Sequence, residues 1–258
     1  MFFVLGIDAA TWNVIRPNLD KLPNFKKLIR IGKSKEPVLK EKPISPSVWC
    51  GMFSGKTPEE HGHGSFVSDG KLVRRENIEV EFIWDILHRE GKQVRVLNVP
   101  FVVPPYCFNV DFKLVGFGLP TNEREWQEEL ERVTEKTKEL LAQKPDLLIS
   151  VYTLLDRIQH FHWGEDYVIE WYQKMDAKIG ELLFDTGFLK EKQNKLIVIS
   201  DHGFCSFGEA KVQTLPQKTA QGVIKGDHHE NAFLVTAHLD YEIDKPQDVF
   251  YAIKQELG

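Results

Sequence analysis

Short, uninterrupted apolar runs at 3–7, 94–97, 147–151, 196–200 and 232–235 punctuate a chain whose other apolar positions recur every three or four residues. Runs of that length, rich in branched side chains and without alternation, suit strands covered on both faces. Between the runs, Trp126, Leu130, Val133, Thr137 and Leu140 form one stripe at helical spacing in a segment otherwise full of Glu and Lys. Val168, Trp171, Met175, Ile179 and Leu182 repeat the pattern after the next strand, so each segment predicts a helix with one face on the core and the rest solvated. Strands alternating with amphipathic helices predict an α/β fold, a layered α/β/α sandwich around a largely parallel sheet, with right-handed crossovers. Pro, Gly and Ser gather at 40–70, 100–121 and 205–227, and the last two stretches are candidate active-site loops. Neither an internal repeat nor a low-complexity tract interrupts the pattern.

Composition narrows the class. With 258 residues, 42% hydrophobic and 28% charged, the chain can bury a substantial core, and the absence of a linker favours one catalytic-size domain over 1–258. A net charge of −5, from 33 basic and 38 acidic residues, offers no basic footprint, so a nucleic-acid polymer is not an expected partner. No apolar run approaches the roughly 18 residues a membrane helix needs. MFFVLGIDAA reads as a first core strand and not as a leader, so no membrane partner is expected. Cys50, Cys107 and Cys205 are an odd number with no CxxC pair, which makes a reducing, cytoplasmic setting the default. Nothing here fixes the oligomeric state.

Ligands of open α/β sheets sit outside the carboxyl ends of the strands, so polar residues just after apolar runs carry the chemistry. Asp8 follows FVLGI, Asp156 follows LLISVYTLL after a short turn, and Asp201 and His202 follow LIVIS directly. Taken singly, each reads as a helix cap, a turn former or a satisfied polar group. Together they bring three carboxylates and an imidazole to one sheet edge. If DRIQH opens a helix, Asp156 and His160 lie four residues apart on one face and can hold one ion. GDHH places His228 and His229 before another core strand, and only one need be a ligand. Three carboxylates and three imidazoles suit two divalent ions with mixed N and O donors, as in zinc or manganese sites.

At this point the residues resemble the alkaline phosphatase superfamily, most closely its type I phosphodiesterase/nucleotide pyrophosphatase branch. GIDAATWNVI is similar to the opening strand and turn, LPNFKKLIRIG to the helix that follows, and PISPSVWCGMFSGKTPEEHGHGSF to the nucleophile segment. NVPFVVPPYCFNVDFKLVGFGLP, DRIQHFHW, SDHGF and GDHH complete the order from about Phe3 to Val235. The resemblance implies an alkaline phosphatase-like core without the large inserted domain, two divalent metal ions (Zn²⁺, with Mn²⁺ the alternative) and a small phosphate-ester substrate.

Carried over residue by residue, the resemblance assigns Asp156, His160 and His228 to one ion, and Asp8, Asp201 and His202 to the other. Counting back from Ser54-Gly55, which stands for the family's Thr-Gly, places the metal-activated nucleophile at Ser45, with Ser47 as the rival. The implied reaction is hydrolysis of a phosphoric ester through a phosphoseryl intermediate, most closely that of a phosphodiesterase/nucleotide pyrophosphatase. A phosphomonoesterase of the superfamily, or a silent metal-binding module of this fold, is the alternative. The Pro and Asn that follow the nucleophile in the family pattern are here Ser47 and Val48, so the oxyanion stabiliser is open between Ser47, the backbone N–H groups after Ser45 and the nearby loop. The segment from Ser45 to Trp49 lacks the sulfatase signature. Only about ninety residues separate Phe66 from Asp156, too few for the inserted domain of the cofactor-independent mutases.

Other residues weigh less. Ser47, Trp49 and His229 are candidate pocket residues, with packing the equal alternative for Trp49. Tyr106 and Cys107 are weaker pocket candidates. His61 and His63 read as turn-forming or supporting groups, Trp163 as core or pocket wall, and His88 and His238 as surface residues.

Overall fold

The computed structural model describes residues 1–68, 71–73, 75–100 and 122–258. In chain order its main elements are β1 (Phe2–Ile7), α1 (Pro23–Ile31), β2 (Lys33–Lys35), α2 (Ser45–Ser54), α3 (Ile83–Arg89), β3 (Val94–Leu97), α4 (Glu123–Gln143) and β4 (Leu147–Tyr152). There follow α5 (Leu154–His162), α6 (Asp166–Ile179), β5 (Lys195–Ile199), β6 (Gly203–Ser206), β7 (Gly226–His229), β8 (Leu234–Ala237) and α7 (Asp248–Leu257). Six strands form one sheet in the order β2-β8-β5-β1-β4-β3. Within it β1 pairs in parallel with β4 and β5, and β3 in parallel with β4.

Side-chain alternation along β1 builds the two faces. Phe3, Leu5 and Ile7 join a core with Phe25 of α1, Trp126, Leu130 and Val133 of α4, Ile158 of α5 and Trp171 and Met175 of α6. Phe2 and Val4 join the opposite core with Trp49 and Phe53 of α2, Trp84 of α3 and Val249 and Ile253 of α7. The result is the expected α/β/α sandwich. Gly6 in β1 permits a close crossing of α2, since a Cβ there would meet the Trp49 ring at 2.7 Å and Val151 at 2.8 Å.

Three features differ from expectation. The last strand lies at Leu234–Ala237 and runs antiparallel to both β5 and β2. After β5 the chain makes only short antiparallel pairings, β6 with β7 and, between them, Lys218–Thr219 with Gly222–Val223. No helix carries it back to the far end of the sheet, so it enters β8 from the carboxyl end of β5 and must run the other way. The Pro- and Ser-rich stretch 40–70 contains α2, whose ten residues are all buried. Its WCGMF run is short enough to be hidden among the breakers that serve it, Pro46 in the first turn and left-handed Gly55 at the end. Finally, Glu129 of the charged helix α4 is buried, with 1% of its surface exposed, although a residue in this Glu- and Lys-rich segment is expected on the solvated face.

Tyr106, Cys107 and the loop around them lie outside the described residues.

Candidate active site

Three adjacent parallel strands, β4, β1 and β5, end side by side, and Asp8, Asp201 and His202, with Asp156 and His160 on the helix after β4, follow from those ends. Asp8 is the first residue after β1, and its N–H donates to Tyr152 O at 2.8 Å. Ala9 then takes a left-handed conformation, φ 60°, which is strained for a residue with a Cβ. It is held from both sides: its N–H donates to Asp201 Oδ1 at 3.3 Å and its carbonyl accepts from Gln159 Nε2 at 2.9 Å. Tyr172 donates in turn to Gln159 Oε1 at 3.1 Å, so α5 and α6 fix the turn that aims Asp8.

From the far side, α5 presents Asp156 and His160 one turn apart, and β7 presents His228. Asp156 Oδ1 lies 3.0 Å from His228 Nε2 and 3.3 Å from His160 Nε2, and the two Nε2 atoms are 3.1 Å apart. His202 lies between this triangle and the β1/β5 carboxylates. Its Nε2 is 3.3 Å from Asp201 Oδ2 and 3.6 Å from Asp8 Oδ1, and its ring stacks on His228 at 3.7 Å between centroids. Two groups of donor atoms are close enough to share an ion: Asp8, Asp201 and His202, and Asp156, His202 and His228. His202 belongs to both, and His160 adjoins the second through the short distances above.

All three imidazoles are oriented alike. Nδ1–H of His160 donates to Gly226 O at 3.0 Å, that of His202 to Gly203 O at 3.0 Å, and that of His228 to Pro43 O at 2.6 Å. Each Nε2 lone pair therefore faces inward, the arrangement of imidazoles that ligate metals. Two lone pairs at 3.1 Å repel unless a cation or a proton sits between them. Asp8 Oδ1 and Asp201 Oδ2 are buried without hydrogen-bond partners, a costly state for carboxylate oxygens.

The electrostatics agree. Burial, reinforced by Asp201 and Asp156, pushes Asp8 well above the usual carboxylate range. Burial pushes Asp201 up to about 6, with Asp156 adding to the rise and His228 opposing it. Asp156 also suffers from burial, but His160 and His228 outweigh it and hold the carboxyl well below its usual value. Burial and the neighbouring His228 hold His202 well below the ordinary imidazole range, leaving it a neutral nitrogen donor and a poor base. Three carboxylates in one dry pocket need compensating cations, and this donor set fits divalent ions.

Ser45 stands at the first turn of α2 with its hydroxyl 3.1 Å from His202 Nε2. The backbone groups after it are spent, because Pro46 has no N–H and the N–H groups of Ser47 and Val48 both donate to Ile44 O, at 2.9 and 3.0 Å. They leave the set of oxyanion candidates. Ser47 is buried beside Ser45, with 7% of its surface exposed. Trp49 is no pocket wall: it has no exposed surface, stacks on Phe53, and its indole N–H reaches Asp8 Oδ2 at 3.4 Å. His229 stays outside the donor set, half-buried, with Nδ1 accepting from the Asn231 N–H at 3.2 Å. His61 and His63 are buried near α2, His61 Nδ1 accepting from the His63 N–H at 3.0 Å. Burial keeps both imidazoles below their usual range, His63 at about 4. Trp163 packs on Phe204, whose ring touches His160 and His228. Gln159, Tyr172 and the Trp49 contact escaped sequence reasoning, because a helical Gln or a core aromatic carries no signal of what it will face.

Comparison with known proteins follows the same line. The family model for type I phosphodiesterase/nucleotide pyrophosphatase matches residues 2–220. Murine ectonucleotide pyrophosphatase/phosphodiesterase 5 is similar at 14% identity and TM-score 0.69, over 99% of this chain and 94% of that one. Its human counterpart gives 13% and 0.65 over the same shares of the two chains. Phosphonoacetate hydrolase from Sinorhizobium meliloti 1021, in complex with phosphonoformate, is similar at 16% identity and TM-score 0.60 over 79% of this chain. The match spans only 56% of that hydrolase. At such identities the likeness is one of fold. No curated protein matches the chain.

Proposed function

The chain belongs to the type I phosphodiesterase/nucleotide pyrophosphatase family of the alkaline phosphatase superfamily and is a hydrolase of phosphoester bonds, and from that premise we propose a serine-nucleophile mechanism supported by two divalent ions. Asp8, Asp201 and His202 would hold one ion and Asp156, His160 and His228 the other, Zn²⁺ or Mn²⁺ by donor type. Bound there, the ions would supply Lewis acidity and lower the pKa of a nearby hydroxyl or water.

The chain's own residues do the rest. Ser45 is presented at the edge of the donor cluster by the buried α2. Its Oγ attacks phosphorus, the Oγ–P bond forms as the bond to the leaving oxygen breaks, that oxygen takes the electron pair, and the serine proton passes to solvent. A water then attacks the seryl-bound phosphorus, its oxygen bonds to phosphorus as the Oγ–P bond breaks, a proton from the water restores the Ser45 hydroxyl, and the product departs as a phosphate monoester from a diester or as phosphate from a monoester. The neutral His202 next to Ser45 favours ligation over general-base work, so a Ser-His-Asp triad is not required. The single observation that carries the reading is the Ser45 hydroxyl 3.1 Å from His202 Nε2, at the rim of a cluster whose inward lone pairs and orphaned carboxylate oxygens call for cations.

The substrate in this reading is a small phosphate ester, diester or pyrophosphate before monoester, hydrolysed by a single catalytic domain over 1–258. Cys50 and Cys205 are free and buried, which supports a reducing, cytoplasmic setting. No helix among the described residues is long and apolar enough to cross a membrane. The test is hydrolysis of p-nitrophenyl phosphate and bis-p-nitrophenyl phosphate after chelation and readdition of Zn²⁺ or Mn²⁺. Metal-dependent turnover supports the reading, the ratio of the two rates separates diesterase from monoesterase, and silence on both would leave a metal-binding module.

A further inference from the structure

With the family's Asn replaced by Val48 and the N–H groups of Ser47 and Val48 tied to Ile44 O, the nucleophile segment has few donors left for substrate oxygens. A bound phosphate ester nevertheless brings one or more charges that must be met in a largely buried site.

One cation at the site edge is held there by a long ion pair alone. Arg157 follows Asp156 on α5, its side chain 31% exposed, with Nε 3.9 Å from Asp156 Oδ2. That is beyond hydrogen-bond range. Among the described residues its guanidinium makes no hydrogen bond, whereas Lys211 is paired with Glu230 and Lys225 with Glu165 on neighbouring loops. Half-burial lowers the dielectric around the group without removing access to ligand. Its planar fork matches phosphoryl oxygens bidentately. The Asp156 contact keeps the stem beside the cluster without using up the donors.

We propose that Arg157 is a substrate-binding residue that takes an anionic oxygen of the bound ester, so that within the proposed diester and pyrophosphate class a substrate carrying two or more negative charges binds more tightly than a singly charged diester. The inference rests on the reading of this cluster as a phosphoester hydrolase site. The second charge has two sources with the same chemistry, the dianionic phosphoryl of a monoester group or a further phosphate in pyrophosphate linkage.

The test is calorimetric binding of dimethyl phosphate, inorganic phosphate and pyrophosphate to the Zn²⁺- or Mn²⁺-loaded protein, wild type, Arg157→Gln and Arg157→Lys. Arg157→Gln is expected to weaken the multiply charged probes about 10- to 100-fold more than dimethyl phosphate, the worth of a charge-assisted pair. Arg157→Lys should recover part of that loss. Equal losses for phosphate and pyrophosphate identify the monoester charge, and loss for pyrophosphate alone identifies the second phosphate. An equal shift for all three probes, no shift, or no binding by the wild type overturns the proposal. Arg157-dependent selectivity without turnover of any ester would leave the binding role standing and remove the hydrolase mechanism instead.

Discussion

The Nε2 atoms of His160 and His228 face each other at 3.1 Å while each Nδ1–H is spent on a backbone carbonyl, Gly226 O or Pro43 O. Neither ring can turn its proton inward without losing that bond. The pair is therefore built to share a positive charge, and Asp156 Oδ1 lies 3.0 Å from His228 Nε2 to complete the ligand triangle.

Chelation is expected to lower both activity and thermal stability, because an ion that binds the native cluster and not the unfolded chain stabilises by mass action. At free metal 100-fold above Kd the gain is about 2.7 kcal/mol. His228→Ala should weaken metal binding by at least about tenfold and shrink the difference in melting temperature between chelated and loaded protein. Identical melting curves with and without metal would remove the cluster as a metal site.

Ser45→Ala is expected to reduce kcat by about a thousandfold or more with the metal content unchanged, since the hydroxyl is the attacking group and the six other ligands remain. Ser47→Ala should retain activity within a few fold. Elemental analysis of both variants, alongside turnover of bis-p-nitrophenyl phosphate, separates the rivals. A dead Ser47→Ala with an active Ser45→Ala would exchange their roles.

Much of this was legible because the chemistry sits at strand ends. Asp8, Asp201 and His202 follow uninterrupted apolar runs, and parallel strands must finish at one edge; Asp156 and His160 are spaced by one helical turn. What was illegible depends on tertiary approach. Gly6 gives no hint that Trp49 will press on it, nor Gln159 that it will clasp the Ala9 carbonyl. The direction of β8 is set by the β6/β7 hairpin and not by its own residues. Glu129 is one acid among many on α4, and only the packing of α4 against the ends of β3 and β4 makes it different.

Gly6→Ala tests the crossing of β1 and α2. The new Cβ would stand 2.7 Å from the Trp49 ring and 2.8 Å from Val151, both in fully packed surroundings, so the variant should lose about 1–3 kcal/mol in urea unfolding. Because Trp49 also donates to Asp8 Oδ2, metal affinity should fall with it. Unchanged stability would mean that the sheet and α2 separate at little cost.

Glu129 gives the pH dependence. Its carboxyl accepts from the Thr153 N–H and hydroxyl, the latter at 3.1 Å, and lies 3.4 Å from Asn98 Nδ2. Thr153 precedes α5 and provides no side-chain cap of its own, so Glu129 caps from another helix the element that bears Asp156 and His160. Burial nevertheless wins and pushes the carboxyl from 4.5 up to about 8. Between those values the native protein holds a proton that the unfolded chain has released, so stability falls as pH rises. The contribution is fully present below pH 4.5 and is lost as pH passes 8. At about 1.36 kcal/mol per unit the loss is on the order of 5 kcal/mol. Glu129→Gln keeps the acceptor toward the Thr153 N–H and cannot ionise. With the protonated wild type as reference, it should exceed the wild type by about 2 kcal/mol at pH 6 and by about 5 kcal/mol at pH 9. Urea unfolding of both proteins at the two pH values reads this directly, and parallel stability curves would show that Glu129 is already ionised in the native protein at neutral pH.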